Sequence, residues 1–225
     1  MSNIQWEYIF NPELALESIP YVLSGLPYTL GIALISAIFG LLIGLVLASM
    51  RIANIKVLNI IARAYISFMR GTPTLVLLFI LYFGLPFMNV QLPAVTASII
   101  GFSVNSAAYI AEIIRSSISS VDPGQWEAGY AVGLNWGTIM SKIVLPQAWR
   151  IAVPPLSNTL LDIIKGTSLT AMITVPEMFQ NAKIVGGREY DYMTMYILVA
   201  LLYWALCSLF GIFQKYLEEK TSVYV

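Results

Sequence analysis

The sequence predicts an all-α protein that crosses a membrane five times. Three observations carry this reading. Hydrophobic residues make up 58% of the 225 and charged residues 11%, against roughly 25% charged in soluble domains. Uncharged runs exceed the ~20 apolar residues that a span requires. The basic residues gather in alternate connections.

Span 1 is expected over residues 21–50, inside the uncharged run from Ser18 to Met50. The next uncharged run, Gly71 to Ala111, is too long for one helix. The turn residues of "GLPFMNVQLP", Gly84 to Pro93, divide it, because glycine, proline and asparagine punctuate regular structure. Span 2 is therefore placed at 57–83 and span 3 at 94–117. Span 4, at 151–175, has enough apolar length but carries Asp162 and Lys165 near its middle. A helix lying on the membrane surface is its alternative. Span 5 lies at 192–214, within the uncharged stretch Tyr192 to Gln214. The result is a single transmembrane domain over residues 1–225, with one large polar loop, 122–150.

The positive-inside rule orients the bundle. Arg51, Lys56 and Arg63 follow span 1, Arg115, Lys142 and Arg150 border or occupy the 122–150 loop, and Lys215 and Lys220 follow span 5. With five spans these share one side, the cytoplasm. The other side receives the acidic start with Glu7, Glu13 and Glu17, the Gly84–Pro93 turn, and a loop mixing Lys183 and Arg188 with Glu177, Glu189 and Asp191. The N-terminus is expected outside and the C-terminus inside.

Composition also excludes several classes. A net charge of zero does not suggest a nucleic-acid partner. The chain has no histidine and one cysteine, Cys207, so neither an internal disulfide nor a Cys/His zinc site can be built. The start has no basic residue before the first apolar run and does not read as a signal peptide. It reads as a short amphipathic lead-in, partly helical after Pro12. No internal repeat or low-complexity segment is evident, and the "TSVYV" tail is too short for a domain.

The polar island "DPGQWEAGYAVGLNWGTIMSKIVLPQAWR", Asp122 to Arg150, reads as two short capped helices. Asp122 can cap the first, Pro123 suits its first position, and Gln125 can complete a capping box. Gly133 stands where a helix ends in a left-handed turn. Asn135 can cap a second helix, which Pro146 ends. Trp126, Tyr130 and Leu134 recur every four residues and form an aromatic stripe beside Glu127. Such a face is a knob for another protein's socket, or it packs back on its own chain or the lipid interface.

Glu127-Ala128-Gly129, three residues, Gly133, nine residues, then Ile143-x-Leu145-Pro146 resembles the loop signature of membrane subunits of bacterial ATP-binding-cassette importers. Gly129 stands where the signature has a second alanine. "RGTPTLVLLF", "NSAAYIAEIIRSSI" and "PPLSNTLLDIIKGTSL" look like the polar-amino-acid branch, while "QWEA", "LPPLSN" and "VPEMFQNAKIV" are most similar to its cystine permeases. The resemblance implies a type I importer permease fold and a multi-pass subunit in a bacterial inner (plasma) membrane. It implies a pair of permease subunits, expected as a homodimer. It also implies two ATPase subunits holding ATP and Mg2+, an extracellular solute-binding protein, an amino acid as cargo, and lipid around the bundle. The island becomes the coupling region, with Trp126, Glu127, Ala128, Gly129, Gly133, Ile143, Leu145 and Pro146 as its residues.

The chain has no G-x-x-x-x-G-K-[ST] phosphate cradle of its own, so no cofactor is expected in it. Ionisable groups at membrane depth are functional candidates. Glu112 and Arg115 lie three apart, as do Asp162 and Lys165, so each pair shares a helix face. Each is either a structural ion pair or, for Glu112, Asp162 and Lys165, part of a path for a zwitterionic amino acid. Arg115 can also reach the rim. Asn105, Asn158, Thr167 and Ser168 offer uncharged hydrogen bonds at similar depth, or serve as glue between helices. Gly166 and the Pro154-Pro155 pair interrupt span 4 in this reading. A self-contained ion- or proton-coupled amino acid transporter using Glu112 and Asp162 is the alternative. A membrane enzyme finds no support in histidine, reactive cysteine or metal clusters.

Overall fold

The structure, a computed structural model, describes residues 9–53 and 55–221. Glu7 and the rest of residues 1–8, the Lys220 side chain, and residues 222–225 of the tail lie outside the described residues. The described residues are mostly helical, with no strand among them. The helices are α1 (Pro12–Leu23), α2 (Leu26–Ile52), α3 (Lys56–Gly71), α4 (Thr74–Phe79), α5 (Ala94–Ser119), α6 (Pro123–Ala131), α7 (Trp136–Ile139), α8 (Leu145–Gly166), α9 (Met178–Glu189) and α10 (Tyr192–Thr221).

Three of these, α2, α5 and α10, are long and apolar enough to cross a bilayer. They carry the expected spans 1, 3 and 5. Their outward apolar residues, such as Ile38, Val46, Trp204 and Ile212, are more than half exposed, as a lipid-facing surface requires. The expected span 2 is not one rod. A bend of 99° separates α3 from the segment Thr74–Met88, and only as a bent pair are the two long and apolar enough for a fourth crossing. Pro73 is the cause: it forces the residue before it out of the helical region, and Thr72 is extended, with φ −102° and ψ 127°. The Thr72 hydroxyl donates to the Phe68 carbonyl at 2.8 Å, satisfying a helix end that proline cannot serve.

Span 4 also differs from expectation. α8 has the length, at 22 residues, but is not among the helices apolar enough to count as spans. Arg150, Ser157, Asn158, Thr159, Asp162 and Lys165 dilute it. It runs unbroken through Pro154 and Pro155, so the proline pair does not interrupt it. Gly166 does mark a change: beyond it the chain tightens into a 3-10 turn, Thr167–Ile173.

The chain divides into two compact units. The first takes residues up to Ser36, Thr74–Gly101 and Leu161–Phe210; the second takes Ala37–Pro73, Phe102–Leu160 and the residues from Gly211 onward. In the first unit, α1, α9 and α10 close a core of Val22, Met178, Ala182, Val185, Met195, Leu198 and Val199. Asn11 caps α1 through Oδ1, accepting from the Glu13 and Leu14 amides at 3.1 Å, while its own amide donates to Thr194 at 2.9 Å. Helix α1 thus begins where the lead-in was expected to become helical.

Glu177, counted from the sequence as an outer-loop charge, is fully buried instead. Its oxygens cap α9, accepting from the Gln180 amide at 2.7 Å and the Phe179 amide at 2.8 Å, and from the Tyr203 hydroxyl at 2.7 Å. Burial pushes the Glu177 carboxyl above its ordinary range, although these three donors pull the other way. Gly25 makes the close approach possible. A methyl group there would lie 2.5 Å from the backbone of Glu177 and Met178.

In the second unit, Leu47 and Ala48 of α2, Ala62 and Ile66 of α3, and Ala107, Ala108 and Ala111 of α5 form a core of mainly small side chains. Small residues let helix backbones approach closely in lipid.

Two predictions follow from the Glu177 junction. Gly25→Ala should lower stability by roughly 1–3 kcal/mol through overpacking against backbone, read as a lower unfolding midpoint; an unchanged midpoint would contradict the packing. The folded Glu177 carboxyl titrates above the unfolded one. Its stabilising effect relative to Glu177→Gln is therefore complete below the unfolded value of ~4.3 and fades as pH rises through the folded value. Midpoints at pH 5 and pH 7.5 should show a wild-type advantage that is larger at pH 5. An advantage larger at pH 7.5 would refute the direction.

Candidate functional site

The island lies within the second unit. Asp122 caps α6, its Oδ1 accepting from the Gly124 amide at 2.6 Å, with Pro123 in the first turn. Gln125 turns its amide oxygen to Gln147 Nε2 at 3.3 Å, so the expected capping box gives way to a cross-link within the island. α6 ends as foreseen. Gly133 has φ +76°, its amide donates to the Tyr130 carbonyl at 3.0 Å, and the Leu134 amide donates to the Gly129 carbonyl at 3.0 Å. This is the paired-bond helix stop that favours glycine in the left-handed region. Nothing lies within 4 Å of where a Gly133 side chain would start.

Asn135 caps α7, accepting from the Thr138 amide at 2.9 Å. Pro146, expected to end this second helix, does not. A wide π-helical turn, Met140–Val144, follows α7 and leads directly into α8. A proline in a first turn gives up an N–H that needs no helical partner, so the helical path continues through it.

The aromatic stripe splits. Trp126 and Leu134 pack against Val121, Ile139, Met140, Val144 and Ala148, as do Ile143 of the island, Ile52 of α2 and Ile118 of α5. Tyr130 remains 52% exposed, and it is joined by Val132 at 75% and Trp136 at 53%. The outward apolar surface therefore surrounds the Gly133 turn. Val132 and Trp136 were not legible from four-residue spacing, because the turn, not the helix, places them. Glu127, Ala128 and Pro146 are exposed, and so is Leu145. Gly129 is buried, and an alanine methyl there would meet Ile139 at 2.8 Å, so glycine at this place goes with the bulky Ile139 beneath it.

The candidate path residues separate by unit. In the second unit, the Asn105 amide donates to the Met69 carbonyl at 3.0 Å and ties α5 to α3. Glu112 Oε1 accepts from Arg115 Nε at 3.0 Å, and Asn158 Oδ1 accepts from Gln214 at 3.2 Å. In the first unit, Asp162 and Lys165 form an exposed ion pair at 2.8 Å. The buried Thr167 hydroxyl donates to the Ile164 carbonyl at 2.7 Å and lies 3.3 Å from the Tyr203 hydroxyl, while Ser168 donates to the Lys165 carbonyl at 2.8 Å. Asn105 and Thr167 thus reach a second helix, whereas Ser168 bonds back along its own.

Glu112 also borders an open polar cavity of about 500 Å3 with Arg51, Arg63, Arg70 and Tyr109. The Arg70 guanidinium stands 5.5 Å from the centre of the Tyr109 ring. The sequence reading used Arg51 and Arg63 only for orientation, and Arg70 only as part of the "RGTPTLVLLF" stretch. Arg63, Ser67 and Arg70 at helical spacing were the available signal.

A family model described as "binding-protein-dependent transport system inner membrane component" matches residues 40–223. The chain is 59% identical, over the full length of both, to the probable amino-acid ABC transporter permease protein YckA of Bacillus subtilis (strain 168). It is 41% identical to the L-cystine transport system permease protein TcyB of the same organism, over 92% of this chain and 88% of that one. A crystal structure of an amino acid ABC transporter with histidines superposes with a TM-score of 0.87 at 33% identity, covering 91% of this chain and 96% of that one. The expected type I importer permease fold rests on that likeness. With the family model spanning most of its length, the chain belongs to the binding-protein-dependent transport system inner membrane components: it is a multi-pass membrane protein and a transport component rather than an enzyme.

Proposed function

We propose that this chain is the permease subunit of an ATP-driven amino acid importer whose cargo is L-cystine or a related amino acid. The observation that carries the importer reading is the island: a short helix stopped by Gly133, presenting Tyr130, Val132 and Trp136 outward while Trp126 and Leu134 pack inward. That is a rigid apolar knob of the kind that fits another protein's groove. Its occupant is an ATPase subunit, which supplies ATP and Mg2+. The family membership favours this over a self-contained secondary transporter. The cargo proposal is supported by the 41% identity to the L-cystine permease.

The assembly contains two copies of this chain, two ATPase subunits and an extracellular solute-binding protein. α8 with the 3-10 turn after it is the fifth crossing, and the N-terminus is outside. Closure of the ATPase pair draws the two islands together, and α8, continuous with α7 through the π turn, carries that movement toward the bundle. Glu112 in the second unit, and Asp162 with Lys165 in the first, each offer the cargo a charge, its ammonium or carboxylate replacing an existing ion-pair partner.

Gly133→Asp should abolish uptake in proteoliposomes containing the ATPase and the binding protein. It places a β-carbon in the left-handed turn and a charge in the space where the groove wall sits. Insertion and yield should stay normal; wild-type uptake by the variant would sink the coupling role. Among amino acids offered with the binding protein, L-cystine should give the largest stimulation of ATP hydrolysis. A larger response to an unrelated amino acid would overturn the cargo while leaving the importer reading intact.

A further inference from the structure

Helix α3 carries three separate faces. Leu58, Ala62, Tyr65, Ile66 and Met69 face inward and are buried or partly so. Lys56, Asn59, Arg63, Ser67 and Arg70 follow at spacings of three and four, which place them on one polar face. Val57, Ile60, Ile61 and Phe68 occupy the arc beside that polar face and are 53–64% exposed.

Two open polar cavities lie along the polar face. One, of about 340 Å3, is lined by Lys56, Asn59, Ile60 and Arg63. The other, of about 500 Å3, is lined by Arg51, Arg63 and Arg70. Arg63 borders both. Asn59 fixes Arg51, accepting from Nη1 at 3.3 Å and donating to the Arg51 carbonyl at 3.2 Å. Arg51 Nε is buried with no hydrogen-bond partner, a state that native structures rarely leave unanswered. Among the described residues none of Arg51, Lys56 and Arg63 has a carboxylate in ion-pair contact; Glu112, which lines the second cavity, is held by Arg115.

We propose that this face of α3 binds an anionic phospholipid, its phosphate held among Arg51, Lys56 and Arg63 and its acyl chains laid along Val57, Ile61 and Phe68. Surplus cations call for an anion, and guanidinium groups suit phosphate oxygens. The adjoining exposed apolar arc calls for hydrocarbon. An amphiphile with a negative head meets both demands on neighbouring faces of one helix, as basic amphipathic helices do at membrane surfaces. A free amino acid carboxylate would answer only the first demand.

The test is binding of short-chain phosphatidylglycerol and phosphatidylcholine to the purified full-length chain in detergent. This readout is independent of transport. Wild type should bind phosphatidylglycerol saturably and in clear preference to phosphatidylcholine. Arg63→Gln should weaken it roughly fivefold, and Arg63→Gln with Lys56→Gln by roughly the square of that. Arg51→Gln provides a second probe should Arg63→Gln fail to fold. Equal affinity for both lipids, or no loss in folded Arg63→Gln and Arg51→Gln, overturns the proposal. So does displacement by millimolar inorganic phosphate or L-cystine, which would make the occupant a free anion or the cargo.

Discussion

A backbone in hydrocarbon must satisfy its own N–H and C=O groups. The described fold is helix joined to helix by capped turns, and its short hydroxyl side chains mostly bond back to their own helices. Ser49 donates to Leu45, Ser98 to Ala94, Ser157 to Val153 and Thr159 to Pro155. Where the chain must leave the helix, a side chain or a special backbone state takes over. Asn11, Asp122, Asn135 and Glu177 cap helix starts; Asn89, Gly133, Thr174 and Tyr190 close helix ends with positive φ.

The same constraint governs charge. Glu112 with Arg115 and Asp162 with Lys165 each neutralise one another across one helical turn. Such a pair is available to a zwitterion because its charges are balanced before and after exchange. The polar face of α3 is the contrast: its cations are not balanced locally, and an exposed apolar face lies beside them. Balanced pairs and surplus cations thus occur on different helices of one fold.

The island is not a loose loop: it is folded on an apolar core of Val121, Ile139, Met140, Val144 and Ala148, against which Ile52 of α2 and Ile118 of α5 also pack. Gly129 lets α6 lie close on Ile139. The π turn before Pro146 keeps the path helical from α7 into α8, where an ordinary proline break would have introduced a hinge.

The sequence by itself determined the all-α class, the long apolar rods and the capped ends of the island. These depend on composition and on contacts within about four residues, which are printed in the order of the letters. Asp122, Gly133 and Asn135 were readable because a cap or a left-handed turn is a local event. Tertiary structure decided which apolar residues of the island point outward. Trp126 and Leu134 were drawn inward by residues up to Ala148, while Val132 and Trp136 were left outside. It also buried Glu177 against Tyr203, 26 residues on. Such outcomes depend on which surfaces meet once the helices pack, and no short-range pattern records that meeting.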